Sequence, residues 1–205
     1  MEYPFEILIH ISEFIQENKT KCYLMITCKK LLKYPFYFNE MVDIVDILHC
    51  KLFNFFTNVN MSKPDILPMA VTKLTLNLNL NGSIEGCVPS SVTHLTIGDY
   101  FNQPIDNLIP SSVTHLVFGN SFNKSIDNLP LCITHLTLGF SYNMPIRRLP
   151  PLLICLTFGY RFNQPIYDFP PSLTHLTFGK YYDHSINDDL PSTALEKYMK
   201  MYENA

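Results

Sequence analysis

One short word is written six times in this chain. It is Leu-Thr (Leu-Val in the third copy) followed by an apolar residue and, in all copies but the first, a glycine. The copies begin at Leu74, Leu95, Leu116, Leu136, Leu156 and Leu176, at steps of 21, 21, 20, 20 and 20 residues. A second word, aromatic-Asn-x-x-Ile, runs in phase with it at Phe101-Asn102, Phe122-Asn123, Tyr142-Asn143, Phe162-Asn163 and, altered, Tyr182-Asp183. Leu80-Asn81 opens that series, and its isoleucines are Ile84, Ile105, Ile126, Ile146, Ile166 and Ile186. A proline stands six residues ahead of every Leu-Thr word, from Pro68 to Pro170, and Pro191 would begin a seventh unit. A fixed period of this length defines a solenoid, in which no unit buries its own core and each shelters its neighbours.

The physics of one unit follows from its pattern. In the segment SLTHLTFG, Leu176 and Phe178 share one strand face while His175 and Thr177 share the other. The apolar face must be covered by the chain returning beneath it, which assigns the aromatic and the isoleucine of the second word to the core. Five of the chain's seven glycines close the strand words, at Gly98, Gly119, Gly139, Gly159 and Gly179. They are expected to supply a positive φ where the chain turns the corner. The asparagine of the second word, stacked in register, is expected to form a ladder that satisfies backbone groups of adjacent coils.

The strand face opposite the core carries a column of histidines. His94, His115, His135 and His175 share one repeat position, with Lys73 in the first unit and Cys155 in the fifth. Beside it run Thr75, Thr96, Val117, Thr137, Thr157 and Thr177. With strands about 4.8 Å apart, such a column extends roughly 24 Å. A flat column offers at most two neighbouring imidazoles to one ion, whereas zinc requires three or four converging ligands. The expected role is therefore a target-binding face made of Lys73, His94, Thr96, His115, Val117, His135, Thr137, Cys155, Thr157, His175 and Thr177, with no metal or other cofactor. Stacked imidazoles could also respond to pH, because protonated neighbours repel.

Composition narrows the function classes. Charged residues make up 16% of the chain and the net charge is −3, with no basic block, which argues against a nucleic-acid partner. No run of eighteen uncharged apolar residues exists, and the opening MEYPFEILIHISEF carries acids rather than a basic region, so neither a membrane span nor a signal peptide is expected. The six cysteines at 22, 28, 50, 87, 132 and 155 form no CxxC pair, which fits reduced thiols in a cytosol-like compartment. No nucleophile–base pair, phosphate loop or carboxylate pair stands out. The Asp and Asn residues after each Ile, as in IDNL at 105–108, read as turn chemistry. The expectation is a non-enzymatic interaction protein.

The two ends have a different grammar. Ile7, Leu8, Ile11, Phe14 and Ile15 fall on one helical face after Pro4, and Leu24, Ile26, Cys28, Leu31 and Leu32 suggest a second helix. Residues 40–57 fit either a third helix or a strand-like lead into the solenoid. At the far end PSTALEKYMKMYENA fits a helix capping the last repeat, with Leu195, Tyr198, Met199 and Tyr202 on one face.

Two resemblances add to this reading. Leu173-x-x-Leu176-x-Phe178 partly fits the leucine-rich repeat pattern. More specifically, the words Phe101–Ile105 and Phe162–Ile166 within LPxSLTHLxFG resemble the FNIP repeat, a relative of leucine-rich repeats found in social amoebae and large viruses of amoebae. The fifth unit departs from it, placing Ile154-Cys155 where Thr-His stands elsewhere. At the N-terminus, Pro4, Glu6, Ile7, Leu8 and Ile11, with the pair Cys28-Lys29, resemble an F-box; Tyr3 and Leu31 depart from its pattern.

Together these imply an α+β chain. An F-box-like helical module at 1–45 and a connecting segment at 46–66 precede a right-handed β-solenoid of leucine-rich-repeat type at 67–190. That array holds six units on one parallel sheet, and a helical cap follows at 191–205. The F-box resemblance implies docking, through Pro4, Ile7, Leu8 and Ile11, on a Skp-type adaptor of a cullin (SCF) ubiquitin ligase. The repeats would then bind a target protein, with the chain a monomer inside a cytoplasmic complex, in the host cytoplasm if viral. The alternative is a free-standing binding scaffold whose N-terminal helices only cap the solenoid.

Overall fold

The computed structural model describes residues 42–43, 58–61, 67, 71–77, 83–185 and 198–200. Each Leu-Thr word forms a strand: β3 (Lys73–Leu76), β4 (His94–Ile97), β5 (His115–Phe118), β6 (His135–Thr137), β7 (Cys155–Thr157) and β8 (His175–Phe178). With β1 (Val42–Asp43), β2 (Asn58–Met61) and β9 (Tyr198–Lys200) they build one nine-stranded parallel sheet whose spatial order is the chain order. The register is strict. Leu74 pairs with Leu95, Leu95 with Leu116, and so on through Leu136 and Leu156 to Leu176. Every repeat position therefore sits directly above its own copy, as the period requires.

Tight turns, three in the second and third coils, are closed by an N–H bonding the carbonyl three residues back. In the fourth coil Tyr142 N–H donates to Gly139 O at 3.2 Å, and in the third Leu129 N–H donates to Ile126 O at 3.1 Å and Ile133 N–H to Pro130 O at 3.3 Å. The first turn swings the aromatic inward, the second follows the isoleucine, and the proline turn leads back to the strand. Coils are also joined at the corners. Asn123, Asn143 and Asn163 each donate a backbone N–H to the side-chain Oδ1 of the asparagine one coil before, at 2.9 Å. Asp183 N–H continues the series onto Asn163 Oδ1 at 3.0 Å, so the expected asparagine ladder is present over five coils.

The core is a stack of columns. Val71, Val92, Val113, Ile133, Leu153 and Leu173 are fully buried ahead of the strands, and the strand leucines behind them are at most 1% exposed. The second-word aromatics lie one above another with ring centroids 5.9–6.1 Å apart from Phe101 through Phe122, Tyr142 and Phe162 to Tyr182. Strand aromatics pack across the coil onto them, as Phe158 does on Phe162 at 3.9 Å. Tyr142 is a costly member of this column. Its hydroxyl is buried without a hydrogen-bond partner, and burial, with a smaller contribution from Asp127, pushes its ionisation far above the ordinary phenol value.

Two sequence expectations are corrected. First, the strand-end glycines do not have positive φ; among the described residues that conformation belongs to Gly86 and Asn107, matched positions in the isoleucine turns of successive coils. The strand-end glycines answer a different need. A Cβ on Gly139, Gly159 or Gly179 would run into the carbonyl oxygen of the glycine one coil before, far inside van der Waals contact. Second, Tyr198–Lys200, placed in a terminal helix by sequence periodicity, pair with Leu176–Phe178 as a strand. Strand pairing there satisfies N–H and C=O groups that β8 would otherwise present as an open edge. The sheet begins before the repeats: Asn58–Met61 pair with Lys73–Leu76, and Val42–Asp43, within the stretch read as a helix or a strand-like lead, pair with Val59–Asn60. The helices expected within residues 1–41 lie outside the described residues.

Two stability predictions follow. Gly159→Ala should destabilise the solenoid by about 3 kcal/mol, at the upper end for a small overpacking, because the clash is with backbone. Equilibrium denaturation by urea would read this as a lower midpoint. Tyr142→Phe removes a buried unsatisfied hydroxyl and should stabilise by about 1 kcal/mol; an unchanged or lowered midpoint would show that the hydroxyl has a partner.

Candidate functional site

Alternation along each strand decides which side chains reach solvent. The burial pattern of β4 is half-buried, buried, half-buried, buried, and the other repeat strands follow it. Leu, Ile and Phe point into the coil, while the histidine and threonine columns point outward. Lys73, His94, His115, His135, Cys155 and His175 pair in an unbroken row across the sheet. Thr96, Val117, Thr137, Thr157 and Thr177 form the parallel row two residues on. Every residue assigned to the target-binding face therefore lies on one surface. The four residues assigned to adaptor docking, Pro4, Ile7, Leu8 and Ile11, lie outside the described residues.

The histidines are held more tightly than a solvated column requires. The rings of His94 and His115 stack at 4.1 Å with planes 16° apart, and those of His115 and His135 stack at 4.1 Å and 8°. Each ring is anchored by the threonine before it: Thr93, Thr114 and Thr134 Oγ1 lie 2.9 Å from the Nδ1 of His94, His115 and His135, and Thr174 Oγ1 lies 2.8 Å from His175 Nδ1. Those threonines were not singled out from sequence, although the recurring Thr-His dipeptide was the available signal. The carbonyl of Thr72 already accepts Thr93 N–H at 2.8 Å and His94 N–H at 3.0 Å. The Thr93 hydroxyl donates to the same carbonyl at 3.2 Å, so its oxygen accepts from Nδ1–H and the neutral ring carries its proton on Nδ1. The same arrangement recurs at His115, His135 and His175. When a ring gains its second proton, that proton goes to the outward Nε2 and the Nδ1–H bond to Oγ1 is kept.

The neutral face is therefore a row of outward Nε2 acceptors, each of which becomes an N–H donor on protonation. Parallel rings aim their nitrogens side by side instead of converging, and no group of three His, Cys, Asp or Glu suited to a metal occurs among the described residues. Burial first, then the charge of Lys73 and of His135, holds His94 below the ordinary imidazole value. Burial, then His94, His135 and Lys73, does the same at His115.

The fourth and fifth coils interrupt this polar surface. Ile154-Cys155 replace Thr-His, so the contiguous imidazole stack ends at His135. Leu131 and Leu152 stand where Ser111 and Ser112 stand one and two coils earlier, and are 51% and 55% exposed; Ile154 is 37% exposed. At the opposite end of the strands, Phe140 stacks on Tyr160 at 5.1 Å, Tyr160 meets Tyr181 edge-on at 4.9 Å, and the Arg161 guanidinium lies 5.2 Å from the Phe140 ring centroid. Sequence inspection missed this aromatic strip because its residues vary between coils. Elsewhere, Arg147 and Arg148 replace the Asp-Asn pair of earlier coils and line a cleft of about 280 Å³ with Tyr167 and Asp168.

A parallel solenoid with an open, ordered sheet face defines a repeat protein of the leucine-rich-repeat-like class, a fold typical of non-catalytic binding modules. The FNIP Repeat family matches residues 62–100, 81–121, 101–141 and 162–196, together more than half of the chain, and the chain belongs to that family. Among solved structures it is similar to CroV588, described as a novel circular LRR protein structure, with 38% identity and a TM-score of 0.61. The likeness covers 77% of this chain and 25% of that one, so the chain spans about a quarter of CroV588's length. No curated protein matches the chain.

The lowered basicity of His94 and His115 predicts a pH dependence of stability. Between the folded and unfolded values the unfolded chain binds more protons. Stability is therefore complete above about pH 6.5, the unperturbed imidazole value, and falls as pH drops through the lowered values. The melting temperature should decline from pH 7.5 to 5.5, and less steeply in His115→Gln. Parallel declines in the two proteins would show that the stack does not contribute.

Proposed function

We propose that the solenoid is a protein-binding module whose histidine–threonine face grips a target. In this reading the N-terminal segment docks on a Skp-type adaptor, making the chain a substrate-recruiting subunit of a cullin ubiquitin ligase in the cytoplasm, one copy per complex. One observation carries the binding reading. The row from Lys73 to His175 is exposed or half-buried along its whole length, while its rings are fixed by stacking and by threonine hydroxyls. Fixed side chains lose little entropy on engaging a partner. The ligase link rests on the F-box resemblance at Pro4, Glu6, Ile7, Leu8 and Ile11.

A second reading is favoured by the start of the sheet. Val42–Asp43 and Asn58–Met61 are already solenoid strands, so at least part of the segment ahead of the repeats caps the first coil. In that reading the protein is a free-standing scaffold.

The full chain carrying Leu8→Asp and Ile11→Asp separates the two. A docking segment predicts that a purified Skp-type adaptor is retained by the intact chain and lost by the variant, with an unchanged melting temperature. A cap predicts a lowered melting temperature and no adaptor retention by either chain. In the same capture from amoeba cytosol, Thr137→Arg on the sheet face should release the target proteins and keep the adaptor.

A further inference from the structure

The chemistry of the sheet face points to one kind of target, an inference that rests on the protein-binding reading above. We infer that the row Lys73, His94, His115 and His135 binds an extended acidic segment of a partner protein, whose neighbouring apolar side chain seats on Leu131, Leu152 and Ile154, and that this binding takes up protons.

Charge complementarity selects the acidic occupant. The row offers an ammonium group and three imidazoles whose outward Nε2 atoms become cationic N–H donors when the rings are protonated. The titratable groups facing one another across β3 to β6 are Lys73, His94, His115 and His135, with Cys155 next on β7. The charges acting on His94 and His115 come from Lys73 and from imidazoles, and none is a carboxylate. The column is thus a site of one sign whose counter-charge is not supplied by its own sheet. Protonating rings stacked at 4.1 Å is unfavourable while they face only each other and Lys73. Incoming carboxylates reverse that balance, so the rings gain protons as the segment docks. The anchoring threonines allow the change without moving the ring, because Nδ1–H keeps its bond to a hydroxyl that itself donates to a carbonyl, and only the outward nitrogen gains a proton.

Geometry selects an extended segment. Lys73 to His135 spans three strand gaps, about 14 Å at roughly 4.8 Å each. Alternate side chains of an extended peptide are about 6.7 Å apart, so two or three carboxylates cover the row. Beyond His135 the chemistry changes abruptly from imidazole and hydroxyl to Cys155 and Ile154, with Leu131 and Leu152 exposed beside them. Exposed apolar side chains at the end of a cationic row fit an apolar residue adjoining the acidic run.

The test uses the full chain and a fluorescein-labelled peptide with glutamate at three alternate positions followed by two leucines, against its glutamine counterpart. Fluorescence anisotropy should show the glutamate peptide binding about tenfold tighter at pH 6.0 than at pH 7.5. The glutamine peptide should bind weakly at both. Calorimetry in buffers of different ionisation heat should show proton uptake. His115→Gln with His135→Gln should abolish the pH dependence, and His175→Gln, outside the stack, should retain it. Leu152→Glu should weaken the glutamate peptide and leave unchanged a version of it whose two leucines are replaced by serines. Equal affinity for both peptides, equal affinity at both pH values, or no binding would overturn the acidic partner. Thr137→Arg distinguishes that failure from a failure of the face. If the variant releases captured targets while the glutamate peptide does not compete for them, the face binds something other than an acidic segment. If the variant releases nothing, the face is not the binding surface.

Discussion

Backbone pairing between consecutive coils, one strand spacing per turn of the solenoid, is the constraint on which everything else rests. It brings Leu74, Leu95, Leu116, Leu136, Leu156 and Leu176 into one line and does the same for every other repeat position. At the end of the strand the chains approach so closely that the carbonyl oxygen of one glycine occupies the space a Cβ on the next would need. Around the corner the asparagine side chains take over the backbone pairing that the strands can no longer provide. Pitch, corner and ladder are one requirement met with three kinds of residue.

Stacking like on like limits which residues a column can hold. A column of lysines or aspartates at strand spacing would repel itself, and the chain is correspondingly poor in charge at 16%. Aromatics, asparagine and threonine stack without such cost, and the occasional misfit is visible where Tyr142 buries a hydroxyl that Phe122 and Phe162 do not carry. Histidine is the one titratable residue repeated on the face because it can remain neutral there. The same proximity that holds His94 and His115 below the ordinary imidazole value makes them responsive to any negative charge brought against them.

Departures from the repeat carry more functional information than the repeat. The regular coils supply a polar row of imidazoles and hydroxyls. The fifth coil ends it with Ile154 and Cys155, and exposed Leu131 and Leu152 add an apolar border. The aromatic strip of Phe140, Tyr160 and Tyr181 falls in the same late coils. A partner reading this surface would meet a gradient from cationic at Lys73 to apolar at Ile154, a directional feature absent from the consensus unit.

Period and alternation alone determined the coil length, the strand positions, the inward and outward faces and the asparagine ladder. Each of these is a local pattern copied many times, so in-phase repetition reveals it. Contacts between coils decided the rest. The role of the strand-end glycines depends on where a neighbouring carbonyl lies, not on the glycine's own dihedrals. The threonine hydroxyl reaches the next residue's imidazole only because both are pinned by the preceding strand. Tyr198–Lys200 read as helix by periodicity yet pair as a strand, because an unfinished sheet edge offers hydrogen bonds that an isolated stretch of sequence cannot reveal. Sequence specified the columns; the spacing between them, set by backbone pairing in three dimensions, turned a list of histidines into a stack.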